Sequence, residues 1–253
     1  MVITTTGIAF SLSSIGLALC GFRFFEAFRK TGEQRASSRI GLLLFGHLIF
    51  AAFVLGLLGV GSLLFATDPA ALYYILLASH LPLIVTSSLG IYLIYFIFFP
   101  RHSPWPSVIA TVALGIFIIL STVAVHPLPF VDASGGVDWN MPGWLSIMLS
   151  LLVFLEICST LYIFYRLYVR APTREVKYLS LFLTIFSSLA LINHLVRFTF
   201  FVIESPDSRT RVYDLILAFV GAAYVMVFLI FPFTHAWISK IRKDRRNALG
   251  VER

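Results

Sequence analysis

Long apolar runs alternate with short polar breaks along most of this chain. Seven runs, covering 5–25, 40–66, 71–99, 105–126, 143–165, 177–203 and 212–238, are candidates for membrane crossing. Each is long enough to cross about 30 Å of hydrocarbon at about 1.5 Å per helical residue. The pattern therefore predicts an all-α, polytopic membrane protein with seven transmembrane helices in one domain over 1–239, followed by a short basic tail over 240–253. Pro100, Pro127 and Pro142 mark run boundaries, while Pro82 and Pro232 fall inside runs and predict kinks in helices three and seven. Ala52, Gly56, Gly59 and Gly61 form a small-residue seam on helix two, and Ala218, Gly221 and Ala222 form one on helix seven. Such seams let helix backbones approach closely.

Composition fits this picture. Of 253 residues, 59% are hydrophobic and 12% charged, with a mean hydropathy of +0.93. A soluble domain averages about 25% charged residues. The net charge of +7 does not indicate nucleic-acid binding, because the charges sit in short clusters between apolar runs. Arg23, Arg29, Lys30, Arg35 and Arg39 surround the break after run one; Arg101 and His102 follow run three; Arg166, Arg170, Arg174 and Lys177 follow run five. The tail adds Lys240, Arg242, Lys243, Arg245 and Arg246. The intervening breaks are acidic, with Asp68 in one and Asp132 and Asp138 in another. Only the break holding Arg209 and Arg211 is off-pattern, and Glu204 and Asp207 accompany it. The positive-inside rule then predicts a cell-membrane protein with its N-terminus outside and its C-terminus in the cytoplasm. Positive charge follows the first run instead of preceding it, the reverse of a cleaved signal peptide. Trp105, Trp144, Trp237 and the pair Tyr73–Tyr74 fall near run ends, as interfacial aromatics do. Runs three and seven both close on a Phe-rich segment with Pro and His, which a parallel three-plus-one-plus-three repeat explains.

Polar residues inside the runs locate candidate function. Asn193, His194 and Arg197 lie in run six, with His194 and Arg197 three apart on one helix face. His80 in run three falls at a similar depth below the outer surface, very roughly 14 Å. Tyr73 and Ser87 share its face, and Asp214 opens run seven. If these faces converge, His80, Asn193, His194, Arg197 and Asp214 line an outward-opening pocket for a small ligand. A structural alternative is a set of buried hydrogen bonds with an Arg197–Asp214 pair. Glu156, near the middle of run five, carries Ser159 and Thr160 on its face and is the candidate proton or cation site. It would otherwise be a hydrogen bond across a helix contact. His47, His102 and His235 read as boundary residues.

Cofactor chemistry has little sequence basis. Matched depth suits His80 and His194 to the axial positions of a b-type haem, with Arg197 near a propionate, yet the further paired histidines of such helices are missing. A quinone is the other cofactor considered. Cys20 and Cys158 sit in apolar runs with no CxxC, so they read as packed thiols. No HExxH, GxSxG, P-loop or suitably placed GxGxxG occurs, and no enzyme is expected. Lys30, Lys177, Lys240 and Lys243 all lie outside the spanning cores, which excludes a retinal Schiff base.

Phe99-Pro100-Arg101-His102-Ser103-Pro104 before helix four and Val137-Asp138-Trp139 before helix five carry a further signal. Tyr165 to Ala171 closes helix five, Arg174 follows, and Ala190-Leu191-Ile192-Asn193 lies in helix six. Across these segments the chain resembles the N-terminal seven-helix sensory module of bacterial and archaeal histidine kinases and diguanylate cyclases. The resemblance covers about half the chain, best from helix three to helix six. It implies a sensor or receptor-like module, or a subunit of a membrane complex, that binds a small ligand and signals through a separate cytoplasmic or membrane partner. The alternatives are a secondary transporter with Glu156 as its ion site, and a haem- or quinone-binding anchor subunit. The pocket reading predicts that replacing both His194 and Arg197 by Ala removes ligand or haem binding, read by co-purified molecules and the Soret band, while insertion is retained. Unchanged binding in the double variant sinks it.

Overall fold

The computed structural model describes residues 4–30, 35–132, 135–170, 174–203 and Gly221. Among these are six helices: α1 (Thr5–Lys30), α2 (Arg35–Leu64), α3 (Pro69–Phe98), α4 (Trp105–Val125), α5 (Gly143–Val169) and α6 (Arg174–Ile203). The seventh apolar run, with Asp214, and the basic tail lie outside the described residues, apart from Gly221. Five helices, α1 to α5, hold spans of 21 to 30 residues that are long and apolar enough to cross a membrane. In α6 the apolar part covers Val176–Ile192 of the described residues.

The helices α1, α2, α5 and α6 extend about one turn beyond the apolar runs, at the basic ends. Hydropathy stops where hydrocarbon stops, but backbone hydrogen bonding does not, and Arg and Lys extend from that last turn toward water. α3 begins on an Asp68 cap that accepts from the Ala71 amide, with Pro69 in its first turn. It then runs unbroken through Pro82 to Phe98. α4 ends at His126 in the left-handed conformation (φ 50°), and the following Pro127 cannot continue a helix.

α3 packs against α2, α4 and α5, while α1 sits against α2 and α6. α4 is the most peripheral helix, leaving Ile109, Ile116, Phe117, Leu120 and Val123 outward. Two apolar cores result. One joins Phe24, Leu44, Leu48, Leu93, Phe164 and Leu183 toward the basic ends of the helices. The other joins Val54, Leu83, Ile84, Ile118, Leu145 and Leu152 toward the opposite ends.

At that opposite end the connection from α4 to α5 folds into a short antiparallel hairpin, β1 (Phe130–Val131) with β2 (Val137–Asp138), in place of a plain loop. Gly135 at φ 78° makes the turn, and Asp132 accepts from the Gly136 amide. The start of α1 docks on it: the Thr5 amide donates to the Gly135 carbonyl at 3.1 Å and the Val137 amide to Thr6 Oγ1 at 2.9 Å. Thr4 Oγ1 donates to the Ser62 carbonyl near the end of α2. Amide groups without an intrahelical partner are thus met where the chain enters its first helix.

The glycine seam of α2 faces α1 and α3. Ser14 Oγ donates to the Ala52 carbonyl at 2.7 Å. A Cβ on Gly59 would lie 2.6 Å from the backbone nitrogen of Ser11, whereas one on Gly46 meets only the Leu89 side chain at 3.4 Å. Gly221 lies similarly close to the Ser13 backbone. Overpacking of this kind costs about 1–3 kcal/mol. Gly59→Ala should therefore lower the melting temperature of the detergent-purified protein clearly, while Gly46→Ala leaves it near the parent. Equal effects would show that α1 and α2 are not in backbone contact at Gly59.

Candidate functional site

Between the two apolar cores lies a polar layer contributed by α2, α3 and α5. Glu156 is at the midpoint of α5. One turn on, Thr160 Oγ1 stands 3.1 Å from Glu156 Oε1 and 2.7 Å from His47 Nε2 on α2. His47 Nε2 is itself 3.8 Å from Glu156 Oε1. On the other side of the ring, His47 Nδ1 donates to the Thr86 carbonyl of α3 at 3.0 Å, and Thr86 Oγ1 donates back to the His47 carbonyl at 3.0 Å. One imidazole therefore ties three helices together.

Local sequence explains the assembly. Glu156 and Thr160 are one turn apart on α5, as Thr86 and Gly90 are on α3, so each pair shares a face. Gly90 makes room: a Cβ there would lie 3.1 Å from both His47 Cε1 and Ser159 Cβ. The His47 side chain is fully buried, whereas Glu156 keeps 16% of its side chain exposed.

The boundary position expected for His47 is corrected by this geometry. The His47 side chain is fully enclosed and bonded to α3 and α5, beside the midpoint of α5, where an interfacial residue would face water. The clue in the sequence was hydroxyl and glycine residues one turn apart on two helices, but nothing in a single helix says which partner it meets.

The residues of the outer candidate pocket are placed as follows. His80 is buried on α3 beside the buried Tyr73 and Ser87. Its Nδ1 donates to the Leu76 carbonyl at 2.6 Å, and its buried Nε2 has no hydrogen-bond partner among the described residues. His194 on α6 is buried, and its Nε2 donates to the Ser150 carbonyl of α5 at 3.1 Å, with the Phe154 ring nearby. The two imidazoles are thus anchored on different carbonyls, one on α3 and one on α5. Serving as an axial haem ligand through Nε2 would require His194 to release Ser150. The side chains of Asn193 and Arg197, and all of Asp214, lie outside the described residues. The His126 ring packs against Tyr73 with centroids 4.1 Å apart and the ring planes tilted by 50°.

At the basic end, the Arg166 guanidinium lies over the Phe98 and Tyr162 rings, and Lys177 over Tyr168. These are cation–π contacts at the boundary of the apolar spans. Among the described residues no three His, Cys, Asp or Glu side chains gather in a group able to hold a metal ion. In comparisons with known proteins, no family model matches the chain and no curated protein is similar to it.

A hydrogen bond between membrane helices contributes about 0.6 kcal/mol on average and up to about 1.7. His47 makes two such connections and His80 bonds its own helix. His47→Leu should therefore lower thermal stability in detergent by more than His80→Leu. The reverse order would mean that the ring does not hold α2, α3 and α5 together.

Proposed function

We propose that the chain is a seven-span protein of a prokaryotic cell membrane, N-terminus outside and C-terminus inside, that works as a secondary transporter of a small solute. Glu156 is its coupling group. The single observation that carries this reading is the position of that carboxyl at the midpoint of α5, hydrogen-bonded toward a histidine of another helix. An ionisable residue at such depth is expensive and by default functional. The five apolar helices and the alternation of basic and acidic breaks support the membrane assignment.

The second reading is the sensor or receptor-like module suggested by the resemblance, coupled to a separate cytoplasmic or membrane partner. The buried Nε2 of His80, without a partner among the described residues, favours it as a group able to accept a hydrogen bond from a ligand.

Proteoliposomes loaded with a pH-sensitive dye and challenged with gradients of amino acids, sugars, organic acids and organic cations separate the two. Transport predicts solute-driven proton or solute flux that Glu156→Gln reduces at least tenfold without loss of reconstituted protein. Flux that survives in Glu156→Gln removes Glu156 from the coupling role. No flux with any solute, together with a bound small molecule or a co-purified partner, favours the sensor.

A further inference from the structure

The polar layer has a hydrogen-bond property that neither reading requires. His47 Nδ1 lies 3.0 Å from the Thr86 carbonyl oxygen, which only accepts, and 3.2 Å from Thr86 Oγ1, whose own hydrogen goes to the His47 carbonyl. Both neighbours therefore accept, which places a hydrogen on Nδ1. The other nitrogen, Nε2, meets the Thr160 hydroxyl, which also meets Glu156 Oε1. That hydroxyl has a single hydrogen and stands between two groups that can each give or take one.

Two arrangements satisfy every contact. In the first, the Glu156 carboxylic acid donates to Thr160 Oγ1, and the Thr160 hydroxyl donates to His47 Nε2. In the second, His47 Nε2 carries a hydrogen and donates to Thr160 Oγ1, and the Thr160 hydroxyl donates to the Glu156 carboxylate. They interconvert when the acid proton passes to Thr160 and the hydroxyl proton passes on to His47. One O–H bond breaks at Glu156 and one N–H bond forms at His47, so one proton has moved and no atom is left over. With one proton fewer, the hydroxyl faces two acceptors and leaves one unmet. With one proton more, it faces two donors and has nowhere to place its own hydrogen. An unmet polar group in this layer is penalised, because hydrocarbon supplies no substitute.

We infer that Glu156, Thr160 and His47 hold one exchangeable proton between them, passed through the Thr160 hydroxyl, with Glu156 as the loading end. Glu156 is the partly exposed member and His47 the enclosed one. Beyond His47 the line stops, because the Thr86 carbonyl cannot take up a proton. The cluster is thus a store and not a wire. The layer also suits a proton better than a metal cation: one carboxyl, one hydroxyl and one imidazole fall short of the six or more oxygen ligands that a cation such as calcium takes. Among the described residues the other titratable group near Glu156 is Cys158 on α5; the α3 face contributes Thr86 and Gly90, and the buried α6 positions Ser180, Leu183 and Ser187 are uncharged. The use of this proton in coupling rests on the transport reading, but the exchange itself does not.

The test is infrared and 15N-histidine NMR spectroscopy of the full chain in lipid nanodiscs across pH and, at fixed pH, across temperature, with the proton as the only probe. Glu156→Gln assigns the carboxylic C=O band and His47→Gln assigns the His47 signals. In the parent protein the Glu156 acid and the doubly protonated His47 populations should add up to one proton at every pH in the range, because both arrangements hold the same number of protons. As temperature shifts their ratio, the loss of one should match the gain of the other. Thr160→Val should abolish that correspondence, and Thr160→Ser should restore it, which separates lost relay from lost fold. Independent titration of Glu156 and His47 in the parent, or an unchanged correspondence in Thr160→Val, overturns the inference. Demonstrated flux through Glu156 without the correspondence leaves the transport reading standing alone. The correspondence without flux leaves the proton store standing alone.

Discussion

Helices long and apolar enough to cross a membrane surround their polar groups with hydrocarbon side chains that offer no hydrogen-bond partner, and most of this structure follows from where the chain meets that demand. Backbone groups meet it within the helices. Most side-chain polar groups inside the spans meet it on the same helix or across to another, though His80 Nε2 and the Ser87 hydroxyl have no partner among the described residues. Thr122 and Thr184 take the first route, each returning its hydroxyl to a carbonyl one turn back. His47 cannot: its ring reaches beyond its own helix, to Thr86 on one side and Thr160 on the other. Those two contacts constrain the mutual rotation of α2, α3 and α5, and the apolar cores close above and below them.

The two ends of the bundle handle the same demand differently. At the hairpin end, backbone and threonine hydroxyls of the α1 start are met by the β1–β2 turn and by α2. At the basic end, long cations lie over aromatic rings, which lets charge sit beside apolar surface without a carboxylate. The small residues of α2 serve the packing between α1 and α2, where the Gly59 Cα comes so near Ser11 that a side chain would collide with backbone.

The candidate site was only half legible. Glu156 stood out because a carboxylate in the middle of an apolar run is conspicuous in one dimension, and Thr160 followed from helical spacing. His47 was read as a boundary residue because it lies near one end of its apolar run, and the run does not show that the ring turns inward to partners on α3 and α5. The outer group was assembled from depth alone. Depth places His80 and His194 at similar levels but says nothing about their faces, and the structure gives each ring a carbonyl on a different helix.

By itself the sequence determined the all-helical class, the position of each described apolar helix and the chemical types available in the membrane. Length, apolar content, Pro69 and the Asp68 cap are local properties that survive in one dimension. Only the tertiary structure decided which faces meet. In a soluble protein an amphipathic stripe tells a helix which side to bury. Here the helices are long and apolar enough to cross a membrane and are hydrophobic on outward and inward faces alike, so the stripe carries little information. What orients α2, α3 and α5 instead is a few polar atoms and missing side chains, His47, Thr86, Gly90, Thr160 and Glu156, whose partners lie on other helices and become neighbours only when the bundle closes.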